Sequence, residues 1–120
     1  MSAWVKPNTA DYFERGIMGD MDAWEWESYL PSFYFYTYNQ GADADFLCGY
    51  STAAQLRLAV SSSPISMNTW MHTVCASDGV TLRLYLNGME IASEPTGGVP
   101  ILNDLHTFAI GKVGNPTYSR

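Results

Sequence analysis

Residues 33–38 read Phe-Tyr-Phe-Tyr-Thr-Tyr, and this run holds the side chains in the chain best suited to recognition chemistry. On a strand, successive side chains alternate between faces, so Phe33 and Phe35 share one side and Tyr34, Tyr36 and Tyr38 the other. The expected split turns the phenylalanines to the core and the tyrosines outward. Tyrosines two apart on a strand are spaced by roughly 6.5–7 Å, close to the step between alternate contacts along a sugar chain. Flat rings stack on sugar C–H faces, and their hydroxyls add hydrogen bonds. Trp24 and Trp26 would extend that ligand-binding surface. The plainer alternative is a second buried face, with the tyrosines filling the groove of a curved sheet.

Acids form the second constellation. Asp20 and Asp22 are two residues apart, as are Asp43 and Asp45, so each pair converges on one side if the chain is extended there. Calcium takes several hard oxygen ligands, and these four aspartates are the candidate metal set. The EF-hand spacing is absent, and solvated acidic loops are the simpler account. Glu25 and Glu27 could act as acid and nucleophile at a glycosidic bond if held roughly 5–5.5 Å apart. Two nearby acids are more often a polar face. Neither a Gly-X-Ser-X-Gly elbow nor a His-Glu-X-X-His pair occurs. The expectation is therefore a protein that is not an enzyme.

His72 and Cys75 suggest metal at first glance, but an odd separation on a strand puts them on opposite faces. His106 and Cys48 lie elsewhere without zinc spacing. A structural His72 is expected, opposite Tyr85 if Asp78-Gly79 makes a two-residue turn; a three-residue turn would flip that face. Cys48 and Cys75 could pair in an oxidising compartment, but two thiols are a weak compartment signal. Two small, buried, unpaired thiols are the expectation.

These groups need strands to hold them. Residues 70–93 read as three antiparallel strands punctuated by Asp78-Gly79 and Asn87-Gly88, dipeptides that accept the positive φ of tight hairpin turns. A turn at Asn87-Gly88 places Leu86 opposite Met89 and Leu84 opposite Ile91. Leu82, Leu84, Leu86, Met89 and Ile91 then form one apolar face. Further strands are expected at residues 2–6, 29–38 (broken by Pro31), 46–50, 55–60 and 106–111. Residues 11–27 read as an acidic stretch around a short apolar piece, and 39–45 and 94–104 as loops. No segment sustains a 3.6-residue apolar period, so little helix is expected. Short strands with turn signals between them point to an all-β sandwich or barrel in a single domain.

Composition narrows the partners. The 120 residues are 47% hydrophobic and 14% aromatic, which excludes a disordered chain. The net charge is −6, and there is no basic stripe for phosphate backbones, so neither nucleic acid nor an anionic membrane is an expected partner. No apolar run approaches the ~20 residues of a membrane span, and no basic start followed by an apolar core marks a signal peptide. The nearest match to a glycosylation acceptor, Asn115-Pro116-Thr117, carries the excluded proline.

Two segments carry a family resemblance. Trp70-Met71-His72, then Asp78-Gly79, then Leu84-Tyr85-Leu86-Asn87-Gly88 resembles the "WxH…DG…LYxNG" signature of laminin G-like domains in the concanavalin A-like lectin/glucanase superfamily. Ser2-Ala3-Trp4-Val5-Lys6-Pro7 resembles that family's "SAWVKP" strand, and Phe108-Ala109-Ile110-Gly111 its "xxIG" strand. The resemblance implies an antiparallel jelly-roll sandwich of concanavalin A-like type over residues 1–120, shortened at both ends to the central part of the family fold. It also implies an extracellular or cell-surface location, non-catalytic binding of carbohydrate or of a glycosylated or protein surface, and calcium at one rim. The superfamily's glucanases use a Glu-X-Asp-X-X-Glu strand, but here Glu25-Trp26-Glu27 supplies only two acids and position 30 is leucine. A glycoside hydrolase is therefore the weakest of the readings. Fewer strands leave unpaired sheet edges, so the alternative is a structural or assembly subunit, and a homo-oligomer is expected.

Overall fold

In the computed structural model, which describes residues 1–8, 14–19, 33–40, 43–51, 56–61, 64–98 and 109–111, every regular element described is a strand. They are β1 (Ser2–Val5), β2 (Glu14–Gly19), β3 (Phe33–Gln40), β4 (Asp43–Ser51), β5 (Leu56–Val60), β6 (Met71–Ser77), β7 (Thr81–Leu86), β8 (Met89–Pro95) and β9 (Ala109–Ile110). Two antiparallel sheets result, a four-stranded one in the order β1-β6-β7-β8 and a five-stranded one in the order β5-β4-β3-β2-β9. They stack as an all-β sandwich.

The β7–β8 hairpin follows from its turn residues. Asn87 and Gly88 both take positive φ, 49° and 84°, as a type I′ turn requires, and its twist matches that of the flanking strands. Leu86 faces Met89 as expected, but a bulge then intervenes, so Tyr85 pairs with Glu90 and Leu84 with Ala92. Ile91 is the inserted residue and does not stand opposite Leu84. Leu82 and Leu84 are fully buried, and Leu86 and Ile91 pack partly buried against the core. Met89 shares this face through its pairing with Leu86, but beside the turn it is 70% exposed.

The β6–β7 turn falls one residue later than Asp78-Gly79. Asp78 N–H donates to Thr81 O at 3.3 Å, so Gly79 and Val80 are the central residues, and Gly79 has φ 89°. Asp78 sits before the turn and braces it: its Oδ1 accepts from the N–H groups of Val80 (2.9 Å) and Thr81 (2.8 Å). This side chain mimics a backbone turn acceptor. The change moves the pairing by two residues, which preserves every face while changing partners. Val74, not His72, faces Tyr85. His72 instead donates its N–H to Asn87 Oδ1 at 2.9 Å and accepts from Asn87 N–H at 2.7 Å.

The acidic stretch and the loop after the tyrosines also differ from expectation. Residues 14–19 form β2, paired with Tyr34 to Tyr38 of β3 through a bulge between Gly16 and Met18. Asp43 and Asp45 lie in β4, not in a loop, because β3 and β4 pair out to Gln40 and Asp43.

The core sits between the sheets. Phe35, Phe46, Cys48, Tyr50 and Ala59 come from the five-stranded sheet and meet Met71, Cys75, Leu82 and Leu84 of the other, with Ile65 between elements. Phe35 and Phe46 rings lie 6.2 Å apart at 45°, a tilted geometry that aromatic quadrupoles favour. Cys48 and Cys75 are buried as expected but are not thiols: they form a disulfide that joins β4 to β6 across the two sheets. At the β5–β8 side, Arg57 Nη1 meets Glu94 Oε1 at 3.2 Å. Both are partly exposed, so this pair ties the sheets with at most about 1 kcal/mol.

Candidate binding site

Backbone register places the tyrosine strand at the centre of its sheet. Tyr34 stands between Gly19 of β2 and Gly49 of β4, Tyr36 between Gly16 and Leu47, and Tyr38 between Glu14 and Asp45. These positions alternate with Phe35 and Thr37, both buried on the core side. The side chains of Tyr34, Tyr36 and Tyr38 lie outside the described residues, as do Trp24 and Trp26 entirely. What is described on the tyrosine positions' face is apolar beside Tyr36 and Tyr34 and acidic beside Tyr38, where Asp45 stands. Leu47 is 8% exposed and its neighbour Val60 42%, and Leu58, paired with Gly49, is half-buried.

Asp45 is the one candidate calcium ligand whose side chain is described. Its Oδ1 accepts a hydrogen bond from Ser61 Oγ at 3.3 Å, while Ser61 Oγ accepts from Phe46 N–H at 3.0 Å. Ser61 N–H in turn donates to Phe46 O at 2.9 Å. Asp45 thus closes a clasp that prolongs the sheet beyond Val60. Asp43 precedes it by two residues on β4, its side chain outside the described residues, and Asp20 and Asp22 lie wholly outside them. Among the described residues, no three His, Cys, Asp or Glu side chains converge on one metal position. Glu25 and Glu27 also lie outside the described residues.

The outer face of the four-stranded sheet carries an ionic cluster. Arg83 Nη1 lies 2.6 Å from Asp78 Oδ2, and Arg83 Nε is 3.7 Å from Glu90 Oε2. The Arg83 guanidinium, with the N–H groups of Val80 and Thr81, holds the Asp78 carboxyl well below its usual range. The hydrogen bond to Asp78 raises Arg83 in return.

A third surface brings together aromatic residues that are far apart in sequence. Trp4 (66% exposed) and Trp70 (62%) stand at the β1 edge. Trp4 pairs with His72 across β1 and β6, and their rings lie 5.2 Å apart at 36°. An open groove of ≈ 560 Å³ runs beside them, lined by Ala3, Val5, Ile17, Met18 and Ile110 among others. The usable signal was alternation in residues 2–6, which puts Trp4 opposite in face to Ala3 and Val5.

Two stacked antiparallel sheets, with Trp4 and Trp70 exposed at the β1 end, define a β-sandwich. The sequence matches, over residues 1–119, the laminin G-like family model described as the concanavalin A-like lectin/glucanases superfamily, and the chain belongs to that family. No match is found among curated proteins. No helix among the described residues is long and apolar enough to cross a membrane.

Proposed function

We propose that this chain is a non-catalytic, extracellular recognition module for carbohydrate or a glycosylated surface, with the tyrosine strand as its platform. The observation that carries this reading is the placement of Tyr34 between Gly19 and Gly49, with Gly16 beside Tyr36. Glycine has no side chain to stand beside a neighbouring ring, so rings carried at these positions would have no flanking glycine side chain between them and a flat ligand. Ring stacking and phenolic hydrogen bonds suit the C–H faces and hydroxyls of a neutral sugar. Trp24 and Trp26 would lengthen the platform, and calcium at Asp20, Asp22, Asp43 and Asp45 would orient hydroxyls at its rim. The buried disulfide supports an oxidising, extracellular setting.

A glycan array probed with and without calcium, and repeated with Tyr36→Ala, tests the reading. Binding to a defined set of glycans that Tyr36→Ala abolishes while the thermal midpoint holds is the expected result. Absence of binding to every glycan under both conditions would overturn it and favour an assembly subunit.

A further inference from the structure

The β1 edge carries chemistry that the tyrosine platform does not use. Met1 and Cys75 exchange both backbone hydrogen bonds, at 2.6 and 2.9 Å. In an antiparallel ladder such pairs alternate with pairs that exchange none. Ala3 and Val5 therefore bond to β6, while the N–H and C=O groups of Ser2, Trp4 and Lys6 point away from it. Two neighbours agree with this phase: Pro7 O accepts from Asn68 N–H at 2.6 Å, and His72 directs its own backbone groups to Asn87. Among the described residues, β1 pairs with β6 alone. The groove runs along this edge. Its lining is mostly apolar, and among the described residues Lys6 is the only charged one in it.

We propose that the β1 edge binds an extended peptide segment of a partner protein by strand addition. The peptide's backbone would pair with Ser2, Trp4 and Lys6, donors and acceptors that recur at roughly 6.5–7 Å along the edge. Alternate apolar side chains would enter the groove against Ala3, Val5 and Met18, and a peptide carboxylate would meet Lys6. A row of outward backbone N–H and C=O groups is completed by the backbone of another strand. The β1 strand of a second copy answers this edge poorly, since Ser2–Val5 holds no acid to meet Lys6.

A displayed library of random decapeptides, selected on the wild type and counter-selected on Trp4→Pro, tests this. Proline at position 4 removes an N–H that makes no bond to β6, so the sheet survives while the edge loses a donor. Ser2→Pro does the same without touching the indole ring, and replaces Trp4→Pro if that variant unfolds. Enrichment of alternating apolar sequences bearing a carboxylate is the expected result. A synthetic peptide of that sequence should slow hydrogen exchange at the Trp4 amide. Its copy N-methylated at alternate amides should bind at least about tenfold more weakly, and Lys6→Glu should weaken it severalfold. The proposal is overturned if nothing is enriched over the proline variant or if N-methylation leaves affinity unchanged. It is also overturned if sedimentation shows a dimer that the proline variant dissolves, since the occupant would then be a second copy.

Discussion

Cys48 of β4 and Cys75 of β6 are joined by a disulfide across the two sheets, with their Cα atoms 6.0 Å apart and both residues buried in the core. The bond closes a loop with a sequence separation of 27. It therefore ties the central strand pair of one sheet to an inner strand of the other, where no backbone hydrogen bond can.

Removing that bond should lower stability by about 3–4 kcal/mol on loop-closure grounds. Urea titration of Cys48→Ala/Cys75→Ala against wild type measures this directly. Because both sulfurs are buried, a mild reductant should leave the folded protein oxidised and act only as it unfolds. Equal unfolding midpoints for the two proteins would refute the structural role.

Leu84 and Met89 were expected on one face but occupy opposite environments. Leu84→Ala, in the core, should cost about 2–5 kcal/mol. Met89→Ala, at an exposed position, should stay within about 0.5 kcal/mol. Denaturation of the pair gives the contrast, and similar losses at both sites would contradict the burial described.

The Asn87-Gly88 turn needs two left-handed residues. Gly88, at φ 84°, has nothing within 4 Å of an added Cβ, so any penalty in Gly88→Ala comes from backbone conformation alone. That penalty should be about 1–2 kcal/mol. Asn87→Ala loses in addition the acceptor for His72 N–H, which should exchange faster with solvent in that variant.

Asp78 gives a pH signature with a definite sign. Its folded carboxyl titrates below the ordinary value of 3.8, so the folded state binds this proton less readily than the unfolded state. Its contribution to stability is complete above about pH 4, and it is lost only as pH falls below that value toward the depressed folded one. Carbon NMR of the carboxylate should show the low titration, and Asp78→Asn should flatten that segment of the acid-denaturation profile. A carboxyl titrating near 3.8 would remove Arg83 from its role.

How much was legible in the chain depends on the range of the interaction. Glycine at φ > 0 and period-2 alternation act within a few residues, so Asn87-Gly88, Phe35 on the core side and Leu82 and Leu84 as inward positions could all be read directly. The true centre of the Asp78 turn could not. A two-residue change of pairing leaves every side chain on its face, so the apolar pattern is blind to it, and the side chain of Asp78 chooses between the options by capping Val80 and Thr81. Strand β2 was hidden because Gly16 and Gly19 weaken strand propensity, and its pairing with the tyrosine strand overrides that local preference.

From its sequence alone this protein was determined to be a β-sheet chain, because turn chemistry and alternation are local and repeat along the strands, and the motifs at residues 2–7, 70–88 and 108–111 marked its resemblance to laminin G-like domains. Tertiary structure alone decided that Cys48 meets Cys75 and that His72 lies against Trp4 and not Tyr85. Those relations join residues from 27 to 68 positions apart. They depend on how two sheets stack and where each ladder ends, and no local pattern of residue types encodes either.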